Sequence, residues 1–253
     1  WLADPSSPEI YRICHSALAR RSHGRHRATF LGITKEELAE QLRLWLSGEE
    51  MDAKAKKKTV VARTMRQPRK VCFVFSGQGP QWYGMGRELY LTNTWFRDRC
   101  EEYAAMFEKH PLDWDLRDEM SKMSNEESHL DQTKVAQVVM FIFHMCVARM
   151  LQRVGVECSA VIGHSLGEIG AACFAGIIDD ETAVRIIYES SILMQQTTGK
   201  GRMCAVQLTP EEAMPFVKPH EDKMSLACHN SPRSVVISGE EQQLEECLRQ
   251  IKA

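Results

Sequence analysis

The chain has 253 residues, enough to bury one large domain and a smaller one. Its net charge of −2 gives no general pull toward nucleic acid or an anionic membrane, and its nine cysteines show no C-x-x-C pairs and no metal-ligand spacing. No charged stretch followed by an apolar run opens the chain, so no signal peptide is read. Cys72, Cys146 and Cys173 lie inside apolar runs and read as reduced core residues of a cytoplasmic protein.

Residues 1–68 read as a region of their own. A helix is expected over 11–20 and a strand over 28–33. Thr34-x-x-Glu37 is a capping box for a helix that carries Leu38, Leu42, Trp45 and Leu46 on one face and stops at Gly48. His15, His23 and His26 lie among Arg20, Arg21, Arg25 and Arg27 without acidic or cysteine partners. They therefore read as a solvated basic edge, and no metal site is expected. Lys54 and Lys56 to Lys58, leading into Arg63, Arg66, Arg69 and Lys70, read as an exposed linker. No aromatic interleaving supports nucleic-acid binding, while attraction for an acidic protein or for phosphates stays open.

Residues 69–199 hold the pattern on which the rest depends. A buried strand over 71–75 runs into the glycine-rich turn Gly77-Gln78-Gly79-Pro80-Gln81, followed by a helix through 89. A second helix from Asn93 carries Phe96, Cys100, Tyr103 and Phe107 as a core stripe, and 111–125 reads as surface. Residues 131–153 form a helix that is apolar nearly all round. Its most apolar part, 138–151, is too short to cross a bilayer and contains His144 and Arg149, so no membrane role is expected.

The apolar run Ser159-Ala160-Val161-Ile162 then leads into Gly163-His164-Ser165-Leu166-Gly167 and a helix rich in small residues. Strand, sharp turn and helix form the setting in which G-x-S-x-G marks a nucleophile elbow. The turn presents the Ser165 hydroxyl, and the helix N-terminus makes the Leu166 N–H a natural oxyanion donor. Strand-end loops of a parallel sheet converge on one crevice, which brings Gln78 beside Ser165. Residues 200–253 read as β-α-β-β-α, a ferredoxin-like unit lacking its last strand.

GQGPQ upstream together with GHSLGE downstream strongly resembles the acyltransferase domain of modular fatty acid and polyketide synthases, the malonyl-CoA:ACP transacylase family, in its animal-type form. The resemblance covers nearly the whole chain, and 1–68 looks like the linker that joins ketosynthase to acyltransferase. It implies an α/β fold with a hydrolase-like parallel-sheet core, a ferredoxin-like subdomain (here truncated) and an N-terminal α/β linker region.

The activity it implies is acyl transfer from acyl-CoA to the phosphopantetheine thiol of an acyl carrier protein, with no bound cofactor and with a ketosynthase as neighbour in the same polypeptide. Ser165 is then the nucleophile, Leu166 and Gln78 the oxyanion donors, and His164 a residue that shapes the site. Gly77 and Gly79 are substrate-binding backbone.

In the family the catalytic histidine follows the closed ferredoxin-like unit. None of the nine histidines here takes that role by motif, His229 on a subdomain strand included. With Trp1 rather than Met at the start, the chain reads as a fragment expected to be nearly inactive alone. The family's carboxylate-binding arginine falls on Ser190, which leaves two readings: a neutral acyl starter or a degenerate copy. Arg185 lies about 140° away round a helix of about 3.6 residues per turn and is expected to form a structural salt bridge. The family's Gln-Pro is Gln137-Val138 here, a change expected to straighten the helix without touching the chemistry. The competing functions are a serine esterase or lipase, which needs neither GQGPQ nor the insert, and a non-catalytic structural domain.

Overall fold

The computed structural model describes residues 2, 4, 6–48, 53–64 and 69–252, in two units, Trp1–Arg69 and Lys70–Ala253. The first contains α1 (Ile10–Ala19), β1 (His26–Phe30), α2 (Lys35–Ser47), α3 (Ala53–Lys58) and β2 (Thr59–Arg63). Thr34 Oγ1 accepts the Glu37 N–H at 3.2 Å, but the Glu37 carboxylate takes the Ile33 N–H at 2.9 Å, so the returning arm of the expected capping box falls one residue early. Gly48 ends α2 at a left-handed φ of 71°. Leu38 is buried, whereas Trp45 and Leu46 are exposed, with Trp45 meeting Phe30 edge-on.

Lys56 and Lys57 are exposed as expected, but the lysine run is regular structure rather than irregular chain. Alanine and lysine favour helix and build α3, and the Thr-Val-Val that follows forms a strand antiparallel to β1, with His26 opposite Arg63 and Phe30 opposite Thr59. β1 itself ends before Leu31, because Leu31 to Ile33 carry the chain into the cap of α2. Buried Gln41 fastens α2 to this strand pair, donating to the Leu31 carbonyl and accepting from Thr59 Oγ1. Arg66 and the Lys54 side chain lie outside the described residues.

The second unit opens with β3 (Val71–Phe75), followed by α4 (Arg87–Thr92), α5 (Thr94–Phe107), α6 (Leu116–Ser121) and α7 (Thr133–Arg153). β4 (Cys158–Gly163), α8 (Leu166–Phe174) and α9 (Asp180–Gln195) come next. β3 and β4 are parallel, with Phe75 beside Gly163. Phe73 and Phe75 face the helices, while Cys72 and Val74 lie on the other face and are exposed, contrary to the expectation of a core Cys72; Cys146 and Cys173 are buried as expected. The stripe of Phe96, Cys100, Tyr103 and Phe107 is buried against Phe141 and Met145 of α7.

α7 is one unbroken helix of 21 residues, long and apolar enough to cross a membrane, contrary to the expectation that it is too short. Most of it is instead buried inside the core of this unit. Leu116, Glu119 and Met120 of α6 are likewise buried, so 111–125 is only partly surface.

The remaining elements are β5 (Arg202–Val206), α10 (Pro210–Val217), β6 (Met224–Ser231), β7 (Ser234–Gly239) and α11 (Glu241–Lys252). Their strands form an antiparallel sheet in the order β5-β7-β6 over a separate core that includes Val217, Val235, Ile237 and Leu244.

One polar hub holds α5, α7, α8 and α9 together. Asp180 Oδ1 accepts from Tyr103 Oη at 2.8 Å, Arg149 Nη2 at 3.1 Å and Cys173 Sγ at 3.1 Å. Burial pushes the Asp180 carboxyl up, but the hydrogen bonds from Cys173 and Tyr103 and the Arg149 charge outweigh it and hold it below the usual carboxylate range. A depressed acid stabilises the fold at pH values above its unfolded pKa and loses that contribution as the pH falls through its folded value. Asp180→Asn is therefore expected to lower the urea midpoint at pH 7, and the gap to the parent should close below about pH 4. A gap independent of pH would contradict this.

Candidate active site

Among the described non-glycine residues, Ser165 alone has a positive φ, at φ 52° and ψ −122°. Such a conformation costs about 1–3 kcal/mol and persists only where the surroundings enforce it. Here they do. A Cβ on Gly163 would stand 2.4 Å from Glu168 Cα, and one on Gly167 would stand 2.1 Å from the Phe75 carbonyl oxygen. Only glycine lets β4 turn this sharply into α8 while α8 lies against the end of β3.

Backbone hydrogen bonds complete the turn. His164 N–H donates to Phe75 O at 3.0 Å, Gly167 N–H to His164 O at 2.9 Å and Glu168 N–H to Ser165 O at 2.9 Å. Leu166 is the first residue of α8, so its N–H has no intrahelical acceptor and stands at the positive end of the helix.

The two sequence motifs meet. A Cβ on Gly77 would stand 2.8 Å from His164 Nδ1 and 3.2 Å from Ser165 Cβ, so the loop after β3 presses its backbone onto the elbow. Gly79 has a φ of 138°, and its N–H donates to Gln81 Oε1 at 2.6 Å. The Gln78 side chain turns to Thr133 at the start of α7, with Nε2 3.5 Å from Oγ1.

The Ser190 hydroxyl on α9 has two acceptors within reach of its one proton, the Ile187 carbonyl at 3.2 Å and Gln137 Oε1 at 3.4 Å. Gln137 is buried, and its Nε2 lies 3.0 Å from Met194 Sδ. The Gln137 amide thus meets position 190. Arg185 is exposed and forms no ion pair among the described residues; its charge only helps to lower the Asp179 carboxyl, after the hydrogen bonds from Thr182. The expected structural salt bridge is absent because the side chain points to solvent.

His229 lies exposed on β6. His144 is held by Ser76, Oγ to Nε2 3.1 Å, beside a cavity of about 390 Å³ along β3, and burial keeps its pKa below the usual value. Among the described residues no hydrogen bond reaches Ser165 Oγ, and no group of His, Cys, Asp and Glu is suited to a metal. Two contacts of the site, Gln78 with Thr133 and His164 with Asn230, join residues 55 and 66 positions apart and have no signal in the sequence.

Ser165 thus stands on a strained strand-to-helix turn, with the Leu166 N–H beside it at the positive end of α8. The model of the family described as "Acyl transferase domain" matches residues 72–253, and the chain belongs to that family. Erythronolide synthase EryA2 of Saccharopolyspora erythraea is 36% identical over 223 residues, which are 87% of this chain and 6% of that protein. Polyketide synthase GfsB of Streptomyces halstedii is 32% identical over 251 residues, 99% of this chain and 4% of that protein.

Among solved structures, the acyltransferase domain from the second module of the salinomycin polyketide synthase matches with a TM-score of 0.77 at 30% identity, over 97% of this chain and 55% of that one. Malonyl CoA-acyl carrier protein transacylase from Clostridium perfringens matches with a TM-score of 0.63 at 27% identity, over 73% of this chain and 58% of that one. The chain therefore has the mixed α/β fold of polyketide synthase acyltransferase domains, and it spans little more than half of these solved chains.

Proposed function

We propose that this domain moves an acyl group from acyl-CoA to the phosphopantetheine thiol of an acyl carrier protein through an ester on Ser165. The observation that carries this reading is the strained Ser165 backbone held between the glycines of its own turn and Gly77 of the β3 loop. Ser165 Oγ attacks the thioester carbonyl carbon, the C–S bond breaks, and CoA leaves as its thiol. The carrier thiol then attacks the Ser165 ester, and the serine oxygen leaves and regains its proton. In both halves the negative oxygen is assigned to the Leu166 N–H and to Gln78. Because the Gln78 amide is turned to Thr133, the role is assigned to its backbone N–H.

The base that activates Ser165 is assigned to a histidine outside these residues. Within them, His164 is committed to Asn230, His144 to Ser76 and His129 to Glu119. The 253-residue chain alone is expected to turn over little or not at all. The three strands in the order β5-β7-β6 fit a ferredoxin-like unit whose fourth strand would pair with the outer edge of β5. The β3–β4 pair fits part of a hydrolase-like parallel core, and the first unit fits a linker from a ketosynthase in a cytoplasmic synthase.

Ser190 and Gln137 put neutral groups where the family's arginine would stand, which favours an uncharged acyl group over malonyl. The test uses the polypeptide that carries this domain, incubated with holo acyl carrier protein and acetyl-, malonyl- or methylmalonyl-CoA. Carrier mass is then read by spectrometry. Acyl carrier formed fastest from acetyl-CoA is the expected result. Free acid without acyl carrier would instead indicate an esterase, and no reaction with any of the three a structural domain.

A further inference from the structure

β6 is not a regular strand where it passes the elbow. His229 pairs with Val235 and Ser231 with Ser234, a shift in register that leaves Asn230 between them without a partner in the ladder. An extra residue of this kind bends the strand and re-aims a side chain, and such bulges recur beside active sites. The re-aimed side chain is Asn230, whose Oδ1 lies 3.1 Å from His164 Nε2 across 66 residues of sequence.

On its other side, the His164 ring stands over Gly77, with Nδ1 2.8 Å from the position a Cβ would take there. The ring is thus clamped between the β3 loop and the bulge, one residue before Ser165. Because Asn230 Oδ1 can only accept, Nε2 is the donor of this bond and carries a proton. The same bond is a link between the core around β3 and β4 and the separate core of the β5-β7-β6 sheet.

We infer that Asn230 is a positioning residue for the chemistry at Ser165. The bulge aims its amide at His164, sets the tautomer of that ring, and ties the three-stranded sheet to the elbow. A ring free to turn would change the surface that the acyl group meets beside Ser165, and the sheet would lose its bond to the elbow. This inference rests on the reading of Ser165 as nucleophile. The bond and the tautomer themselves do not.

Two measurements separate these points. In the 253-residue chain, nitrogen-15 NMR of the imidazoles should show His164 protonated at Nε2 in the parent and as a tautomer mixture in Asn230→Ala, with little change in thermal midpoint. An unchanged His164 spectrum in Asn230→Ala would overturn the inference, whatever the enzyme does. In the polypeptide that carries the whole domain, Asn230→Ala should lower kcat for acyl transfer about tenfold, the worth of one orienting hydrogen bond, with KM held. The loss should vanish in a His164→Ala background, and Asn230→Asp, which keeps the acceptor, should restore most of the rate. An equal loss with or without His164 would show that Asn230 does not act through that ring. Activity surviving in Ser165→Ala would sink the nucleophile reading and leave the NMR result standing.

Discussion

Gly167→Ala is expected to destroy the elbow. The new methyl would stand 2.1 Å from Phe75 O, 2.6 Å from Phe75 C and 2.7 Å from Ser76 O, all of them backbone atoms at the end of β3. No rotamer change relieves a clash with backbone, so α8 must leave the sheet or β3 must bend. Overpacking in a tight core typically costs 1–3 kcal/mol, and a backbone contact this short belongs at or beyond the top of that range, about 3 kcal/mol or more. For a domain of this size, that lowers the thermal midpoint by roughly 6–12 °C. Gly170→Ala is the internal control. It lies on the same helix, but its methyl would meet the Phe75 ring at 3.0 Å, a side chain able to shift, and the loss should be much smaller. Equal midpoints for the two variants, by calorimetry, would show that the close approach of α8 to β3 is not what holds the turn.

Ser190→Arg is expected to change which acyl group is loaded. In the parent, Ser190 spends its hydroxyl proton on Ile187 O or Gln137 Oε1, leaving no positive charge to meet a carboxylate. An arginine there gains the Gln137 oxygen as an orienting acceptor and offers its fork to a malonyl carboxylate. A desolvated ion pair of this kind is worth about 2–5 kcal/mol when one partner is removed or restored, so the malonyl to acetyl ratio should rise by roughly thirtyfold or more. Competition between the two CoA esters, read as adduct masses, gives the ratio directly. A folded Ser190→Arg domain with the parent's ratio would mean that position 190 does not face the acyl group.

How far the sequence carried depends on the range of each interaction. The elbow was legible because strand, G-x-S-x-G and small-residue helix are consecutive, and the glycines at 163 and 167 are required by contacts within or just beside that segment. The stripe of Phe96, Cys100, Tyr103 and Phe107 was legible for the same reason, being a local period.

The lysine run was rightly read as solvent-facing, since Lys56 and Lys57 are exposed, but charge carries no information on the helix and strand that the alanines and the Thr-Val-Val after it form. The extent of α7 was legible from its apolar run, but its reach across a membrane was judged from 138–151 alone, whereas Thr133 to Gln137 continue the same apolar helix. Asn230 could not be foreseen, since a bulge depends on the register against β7 and its target lies in another part of the unit.

Intact-protein mass spectrometry of the polypeptide carrying this domain, after incubation with acetyl-, malonyl- and methylmalonyl-CoA, tests the central assignment most directly. A single acyl adduct in the parent, mapped by peptide to Ser165 and lost in Ser165→Ala, is the predicted result. An adduct that persists in Ser165→Ala, or none from any of the three esters, would contradict the assignment of Ser165 as the acyl-bearing nucleophile.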